Sequence, residues 1–562
     1  MRREVSVVNK KVCSFPILFA LLALLIGTCA VVFPASAQAA PTSTGSITVS
    51  GTVARSYDAY QIFSANVVDG DSDAKIATDL AWASGAVRGA ALPVLHSAGM
   101  SNSQTTAQEA AEWLNTDSHL TSALSAQLAR SLQSSGAVPV ALNAGTTAEL
   151  PCGYWLIVAD DDAIAQNEAG TAPIMALVGG SAVTVKPKAA TPKVKKHVLE
   201  DSAAAWQKAA DATVADDLYW RLSATVPAGL AAYDTYTVQF VDTMGAGLDP
   251  SKVAASMRVY VAAGVDGGFD AVSAGKDGRA GTEPAKGWTD ITAQCATKVA
   301  ADGTFTVRTG DLIAALGGAD AFTAGARVVA VYNAPLNSAC NHGIAKGNPN
   351  EVYLRYPRSP FADQSGDAGF TRTPSDDACA YTWDLALTKR GSDGDKPLAG
   401  AVLSIADDRG RTLAADGTWD AEGKATVTTG EDGRVTVSGV DSGKLEVREL
   451  KAPKGYTAFE GTRSVTVKAE GLDVDQVAAA EPKLTITAES PLRADSADGS
   501  TGSLEASLIN TPTGTPPSIT TGGFMPSTGD MAMYAAAAAA VAGAALIVVA
   551  LLVKRGGGSH KE

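Results

Sequence analysis

Short runs in which apolar and polar residues alternate recur along most of the chain, at 47–53, 154–158, 218–226, 304–307 and 327–332, each bounded by Gly, Asp or Pro. Alternation with a period of two sorts side chains onto the two faces of a strand, and many such runs separated by turn residues predict β-sandwiches. One stretch breaks the pattern. Leu120, Leu124, Leu128 and Leu132 recur every four residues and form one apolar stripe of a helix packed on a core. The expected fold is therefore mostly β, a series of tandem Ig-like β-sandwich domains with helices inserted in the first.

Composition shifts mark the joints. A Pro/Lys stretch at 186–192, a Gly/Ser/Asp/Pro-rich stretch at 359–377 and a Pro/Thr/Gly spacer from 511 divide the chain. The expected domains are 40–187, 188–378 and 379–512, followed by a spacer over 513–529. At the start, Arg2, Arg3, Lys10 and Lys11 precede an apolar run at 15–33 and then small residues at 35–40. This order reads as a secretory signal peptide over 1–39, cleaved near Ala37 or Ala39. At the other end, residues 531–553 carry no charge and are followed at once by Lys554 and Arg555. Such a segment, within 530–562, is long enough for a transmembrane helix, and its basic tail is a positive-inside stop.

The formal charge of -14 argues against a nucleic-acid partner, because phosphate neutralisation needs a basic surface. Of six cysteines, Cys13 and Cys29 leave with the signal peptide, and Cys152, Cys295, Cys340 and Cys379 remain. Outside the cell disulfides are allowed, and Cys295, Cys340 and Cys379 are the candidates: Cys295 with Cys340, or Cys379 with either, leaving Cys152 free. No metal is expected. There is no CxxC pair, and in the run from Asp69 to Asp73 the positions of a calcium loop's glycine and bidentate glutamate hold Ala74 and Leu80. The histidines are scattered, and neither a GxSxG elbow nor a phosphate loop occurs, so no cofactor and no turnover enzyme are expected.

The informative residues are polar ones on the apolar face. In a strand, residues two apart share a face, so a charge in step with apolar neighbours points into the core. Leu385, Leu387 and Lys389 share one face, as do Leu445, Val447 and Glu449, and Leu504, Ala506, Leu508 and Asn510. The middle domain repeats the set with Val194, Lys196 and Val198, with Val238, Phe240 and Asp242, and with Asn350, Val352, Leu354 and Tyr356. A lone buried charge is costly, so complementary residues on three strands are expected to meet. Lys195 and Asn348 are the alternatives beside Lys196 and Asn350, and face parity does not separate the two asparagines. A desolvated lysine is a neutral amine and a nucleophile, while a buried carboxyl stays protonated and can shuttle protons as ammonia leaves an asparagine. Alignment supplies effective molarities on the order of 10^5 M. The expected product is a Lys-Asn isopeptide bond, made once, that closes a long loop and stabilises by about 4 kcal/mol.

At these residues the chain resembles a Gram-positive sortase-assembled major, or shaft, pilin. "DLALTK", "PLAGAVLSI", "LEVRELKAPKGYTAFEG" and "LINT" resemble the Cna-B type domain, and "PKVKKHV", "YDTYTVQFVDTMGAGL" and "GNPNEVYLRY" resemble the isopeptide-forming middle domain of fimbrial proteins. The resemblance implies Cna-type sandwiches with autocatalytic triads Lys389, Glu449, Asn510 and Lys196, Asp242, Asn350. Met525-Pro526-Ser527-Thr528-Gly529 resembles the LPxTG sorting pentapeptide, with methionine for leucine. By that likeness a sortase cuts between Thr528 and Gly529 and passes the Thr528 acyl group to an amine. "VTVKPK" resembles the pilin motif with Lys186 in place of tyrosine, which makes Lys188 the acceptor and Lys186 its alternative. The implied partners are sortase, other copies of the chain, peptidoglycan, accessory pilins and a host ligand, on a secreted, wall-anchored protein. The competing expectation is a monomeric wall-anchored adhesin.

Overall fold

Alternating strands with one apolar face bury it by pairing sheets, and the chain does so along its whole described length. The computed structural model describes residues 43–514 apart from 52–54, 72–73, 117, 162–163, 165, 189, 265–268, 270, 273–283 and 346. The expected signal peptide, the motif Met525-Pro526-Ser527-Thr528-Gly529 and the apolar span at 531–553 lie outside the described residues. Among the described residues no helix is long and apolar enough to cross a membrane.

The fold is mostly β, with Ig-like sheets. In the first region the long strand Ser56–Asp69 pairs antiparallel with Lys75–Trp82, Val140–Asn143 and Gly153–Ala159, and the last of these pairs with Ile174–Val178. One face of this sheet, with Tyr57, Ala59, Trp155 and Ile157, packs on a three-stranded sheet in which Thr44–Val49 lies between Thr147–Pro151 and Val183–Val185. The other face, with Tyr60, Ile62, Leu156 and Val158, carries three helices, Gly85–Ser97, Ala107–Asn115 and Ser122–Ser134. Ser84, Thr106 and Thr121 cap them, each side chain accepting from a backbone N–H three residues on. Leu124, Leu128 and Leu132 form the buried stripe of the last helix. Leu120 lies before the helix, which the cap at Thr121 starts after it, yet it still packs against the same core.

The middle region is a sandwich. Its six-stranded sheet runs in the order Ala205–Gln207, Lys193–Glu200, Tyr219–Val226, Ala326–Asn333, Arg258–Ala263, Thr289–Asp290. The facing sheet runs Ala209–Asp211, Asp376–Tyr381, Asn348–Pro357, Gln239–Met244, Thr304–Arg308, Ala296–Val299, with Phe370–Arg372 beside Asn348–Pro357. Val198, Trp220, Leu222, Phe240, Val307, Val352 and Leu354 fill the space between. The strand Asp376–Tyr381 runs across residue 378 and belongs to this sandwich.

The last region packs the sheet of Arg434–Val440, Trp383–Gly391, Ser503–Pro512 and Tyr456–Thr457 on one centred on Val402–Ala406, Gly443–Lys451 and Thr462–Glu470. Its first strand, Trp383–Gly391, and its last, Ser503–Pro512, are parallel neighbours, which puts the two ends of the domain side by side.

The middle and last sandwiches are joined by buried polar contacts. Asp211 Oδ2 accepts from Trp383 Nε1 at 2.6 Å and from Ser442 N at 2.9 Å. Arg411 grips Asp216 through two nitrogens at 2.6 and 2.7 Å. Gly439, at φ 69°, lies so close that a Cβ there would stand 2.3 Å from Val214 Cγ2. Four carboxyls crowd this joint. Burial, then Asp211, raises Glu200 to about 8, burial and then Asp211 also raise Asp201, and burial with Asp211, Asp201 and Glu200 holds Asp441 well above the ordinary range.

The expected disulfides are not formed, and Cys152, Cys295, Cys340 and Cys379 are all free thiols. The reason is their separate settings. Cys295 donates to Ile291 O at 3.3 Å, Cys340 lies in the turn opposite Gly247, Cys379 packs under Gly347, and Cys152 packs under Gly179. The Asp69 carboxylate accepts from Ser181 N at 2.9 Å through each oxygen and from Lys75, so it ties a loop to a strand.

Two outcomes are expected. An acid whose folded pKa lies above its unfolded value contributes stability that is complete below the unfolded value and is lost as pH rises through the folded one. For Glu200 that window runs from the ordinary glutamate range up to about 8, so the ectodomain's unfolding midpoint falls between pH 5 and pH 9. Glu200→Gln is expected to flatten that dependence, read by denaturant melts at both pH values. Separately, alkylation of the unreduced, denatured ectodomain followed by peptide mapping finds Cys152, Cys295, Cys340 and Cys379 all labelled.

Candidate functional site

The residues out of step with the apolar pattern converge in two dry clusters. In the middle sandwich, Lys196 projects from Lys193–Glu200 in one sheet, while Asp242 and Asn350 project from Gln239–Met244 and Asn348–Pro357 in the facing sheet. The last two strands are antiparallel neighbours, with Asp242 opposite Val352 and Met244 opposite Asn350, so the carboxyl and the carboxamide lie on the same inner face. All three residues are 0% exposed. Lys196 Nζ meets Asp242 Oδ2 directly, and it also donates to the hydroxyl of Tyr332 at 2.9 Å. Tyr332 OH is 3.2 Å from Asp242 Oδ2, and Asn350 Nδ2 donates to the same hydroxyl at 2.9 Å. The walls are aromatic. Lys196 Nζ sits 5.6 Å from the centre of the Trp220 ring and 5.5 Å from that of Tyr332, which Phe305 buttresses edge-on.

Desolvation dominates the electrostatics. Burial lowers Lys196 to about 8 against the opposing pull of Asp242, and burial raises Asp242 to about 6 against the pull of Lys196. Both shifts favour the neutral amine and neutral acid over the ion pair. Asp242 Oδ1 and Asn350 Oδ1 are buried without a hydrogen-bond partner. An unpartnered carboxamide oxygen in a dry core is costly, and here it belongs to a carbonyl lying among a lysine, an acid and a phenol.

The last sandwich builds the same set differently. Lys389 and Asn510 come from the parallel neighbours Trp383–Gly391 and Ser503–Pro512, where Gly391 is the register partner of Asn510, and Glu449 reaches across from Gly443–Lys451 in the other sheet. Lys389 Nζ is 3.3 Å from Glu449 Oε1, and Asn510 Nδ2 donates to Glu449 Oε1 at 2.9 Å and Oε2 at 3.1 Å. Glu449 Oε2 also accepts from Phe459 N at 3.0 Å. Burial lowers Lys389 to about 8. Asn510 Oδ1, like its counterpart, has no partner.

The alternatives Lys195, which face parity disfavours, and Asn348, which it does not separate from Asn350, have other partners. Lys195, with a side chain 54% exposed, reaches Asp376 at 3.7 Å on the outside of the sheet. Asn348 donates to Asn341 O and Ala380 O at 2.9 and 3.2 Å and accepts from Asn341 N at 2.8 Å, so its amide is spent on pinning a turn. Lys186 and Lys188 are both exposed just after the strand Val183–Val185. Tyr332 escaped the sequence reading, since in an alternating strand a tyrosine on the buried face looks like any other core aromatic. The only hint is that a buried phenol needs a partner for its hydroxyl.

Residues 384–481 match the family SpaA, described as a prealbumin-like fold domain. Over 143 residues the chain is 30% identical to the Trypsin-resistant surface T6 protein of Streptococcus pyogenes serotype M6, and the match spans 24% of this chain and 24% of that protein. The chain thus matches about a quarter of that relative's length. Among solved structures, the T6 backbone pilin of serotype M6 Streptococcus pyogenes is 17% identical with a TM-score of 0.44, covering 84% of this chain and 98% of that one. The full-length major pilin SpaD from Corynebacterium diphtheriae is 14% identical with a TM-score of 0.40, covering 84% and 98%. Within the last sandwich, residues 384–481 are thus similar to the SpaA prealbumin-like fold domain, and part of the chain is similar to a surface protein of Streptococcus pyogenes.

Proposed function

We propose that this chain is the shaft subunit of a covalent pilus, polymerised by a sortase, anchored to peptidoglycan, and hardened by two internal isopeptide bonds, Lys196 to Asn350 and Lys389 to Asn510. The observation that carries the reading is the pair of buried lysine, acid and asparagine sets, each with its carboxamide oxygen unpartnered. In each set the neutral amine attacks the asparagine Cγ, the neighbouring carboxyl handles the protons, and ammonia leaves. The group that reacts is consumed, so the chain is a single-turnover substrate of its own chemistry and not an enzyme.

Each bond ties strands far apart in sequence. In a loop-closure account such a link stabilises by about 4 to 5 kcal/mol, and it also holds when the subunit is pulled along its length. A fibre one molecule wide needs that property. Polymerisation uses the Thr528 acyl group of one copy and an exposed amine on the next, for which Lys188 is the assigned residue and Lys186 the neighbour. Adhesion, accessory pilins and a host ligand belong to the assembled fibre.

Two measurements check this reading. The purified ectodomain is expected to be lighter than its sequence mass by two ammonias, with Lys196→Ala and Lys389→Ala each restoring one. Asn350→Ala restores one as well, whereas Asn348→Ala leaves both losses in place, and full sequence mass in the unmutated protein contradicts the assignment. On cells, Lys188→Ala is expected to abolish high-molecular-weight ladders in denaturing gels. Absence of ladders from cells making the unmutated chain would favour the monomeric adhesin.

A further inference from the structure

The two sets differ in how the acid reaches the leaving group. In the last sandwich a single carboxylate, Glu449, touches both ends of the reaction, Lys389 Nζ at 3.3 Å and Asn510 Nδ2 at 2.9 and 3.1 Å. In the middle sandwich the acid is aspartate, one methylene shorter. Asp242 contacts Lys196, while the amide nitrogen of Asn350 donates instead to Tyr332 OH at 2.9 Å. That hydroxyl in turn lies 3.2 Å from Asp242 Oδ2 and 2.9 Å from Lys196 Nζ. Its three partners are the three reacting groups.

We propose that Tyr332 is a catalytic residue of the middle crosslink, its hydroxyl relaying a proton from Asp242 to the nitrogen that leaves Asn350. The proposal rests on the isopeptide reading above. Lys196 Nζ, as the neutral amine, forms a bond to Asn350 Cγ, and the carbonyl electrons move onto Oδ1. The Nδ2 lone pair, no longer conjugated, becomes basic and accepts the Tyr332 proton while the phenol oxygen takes one from Asp242. The Cγ–Nδ2 bond then breaks as Oδ1 re-forms the carbonyl, NH3 departs, and the Asp242 carboxylate recovers a proton from Nζ. One amine and one primary amide thus become one secondary amide and one ammonia, with Asp242 and Tyr332 returned unchanged.

The surroundings suit a relay. Tyr332 is fully buried, and burial together with Asp242 raises its hydroxyl well above the ordinary phenol range, so the phenol passes a proton on only as it receives one. The edge-on Phe305 ring, 4.7 Å away between centroids, and the strand Ala326–Asn333 hold it in the facing sheet from Asp242 and Asn350. Among the described residues the last sandwich shows no tyrosine on its set, and with Glu449 in direct contact it needs none.

The test uses the whole ectodomain made by cell-free synthesis, following intact mass and the Lys196–Asn350 branched peptide with time after translation stops. Tyr332→Phe is expected to slow the middle bond by about 100-fold or more, the range of a lost general acid, while the Lys389–Asn510 bond forms normally in the same molecules. Adding Asp242→Glu to Tyr332→Phe lengthens the acid to the reach of Glu449 and is expected to restore the bond, which a packing role for the ring would not allow. Two ammonias lost at the unmutated rate by Tyr332→Phe, or no rescue by the glutamate, overturns the relay. An unmutated chain at full sequence mass would instead sink the isopeptide reading itself, so the two failures are distinguishable.

Discussion

A lysine ammonium placed against a carboxylate in a core without water is an expensive arrangement, and the rest of the structure can be understood from how that cost is resolved. Desolvation penalises both charges, and mutual attraction repays it only in part. Here the penalty pushes Lys196 and Lys389 toward the neutral amine and Asp242 toward the neutral acid. The same dryness that makes the ion pair unfavourable makes the amine nucleophilic. The proposed conversion of the pair and its asparagine into an amide would remove the buried charge altogether.

Two geometries would serve the proposed chemistry. In the middle sandwich the lysine and the asparagine come from facing sheets, so a bond there staples the two layers of the sandwich. In the last sandwich they come from parallel neighbours, the first and last strands of the domain, so a bond there ties entry to exit within one sheet. The acid differs in step with the geometry, a glutamate in contact with both partners in one case and, in the other, an aspartate with a phenol between it and the asparagine amide. Between the sandwiches, Asp211, Trp383, Ser442 and the Arg411–Asp216 pair make a joint of direct contacts.

Much of this was legible in the sequence because period-two alternation is a strict code, in which one charge in step with leucines must point inward. Lys196, Asp242, Lys389, Glu449 and Asn510 stand where that code puts them. It could not choose between Asn350 and Asn348, since both lie on the same face, and the hydrogen bonds that engage the Asn348 amide at the turn of Asn341 support the proposal of Asn350. Nor could it show that the four cysteines stay apart, since their spacing in space depends on how distant segments fold back. The stripe of leucines overran its helix by one residue because the cap at Thr121, a local hydrogen bond, outweighs a four-residue repeat. Tyr332 and the carboxyl-rich joint were hidden for one reason: both depend on which strands become neighbours across a sandwich, and alternation within a strand carries no record of that.

The most direct test is tandem mass spectrometry of a digest of the ectodomain purified from cells. The account predicts two branched peptides, one joining Lys196 to Asn350 and one joining Lys389 to Asn510, with the unbranched forms scarce. Linear peptides carrying free Lys196 and Lys389 and intact Asn350 and Asn510 amides would contradict it.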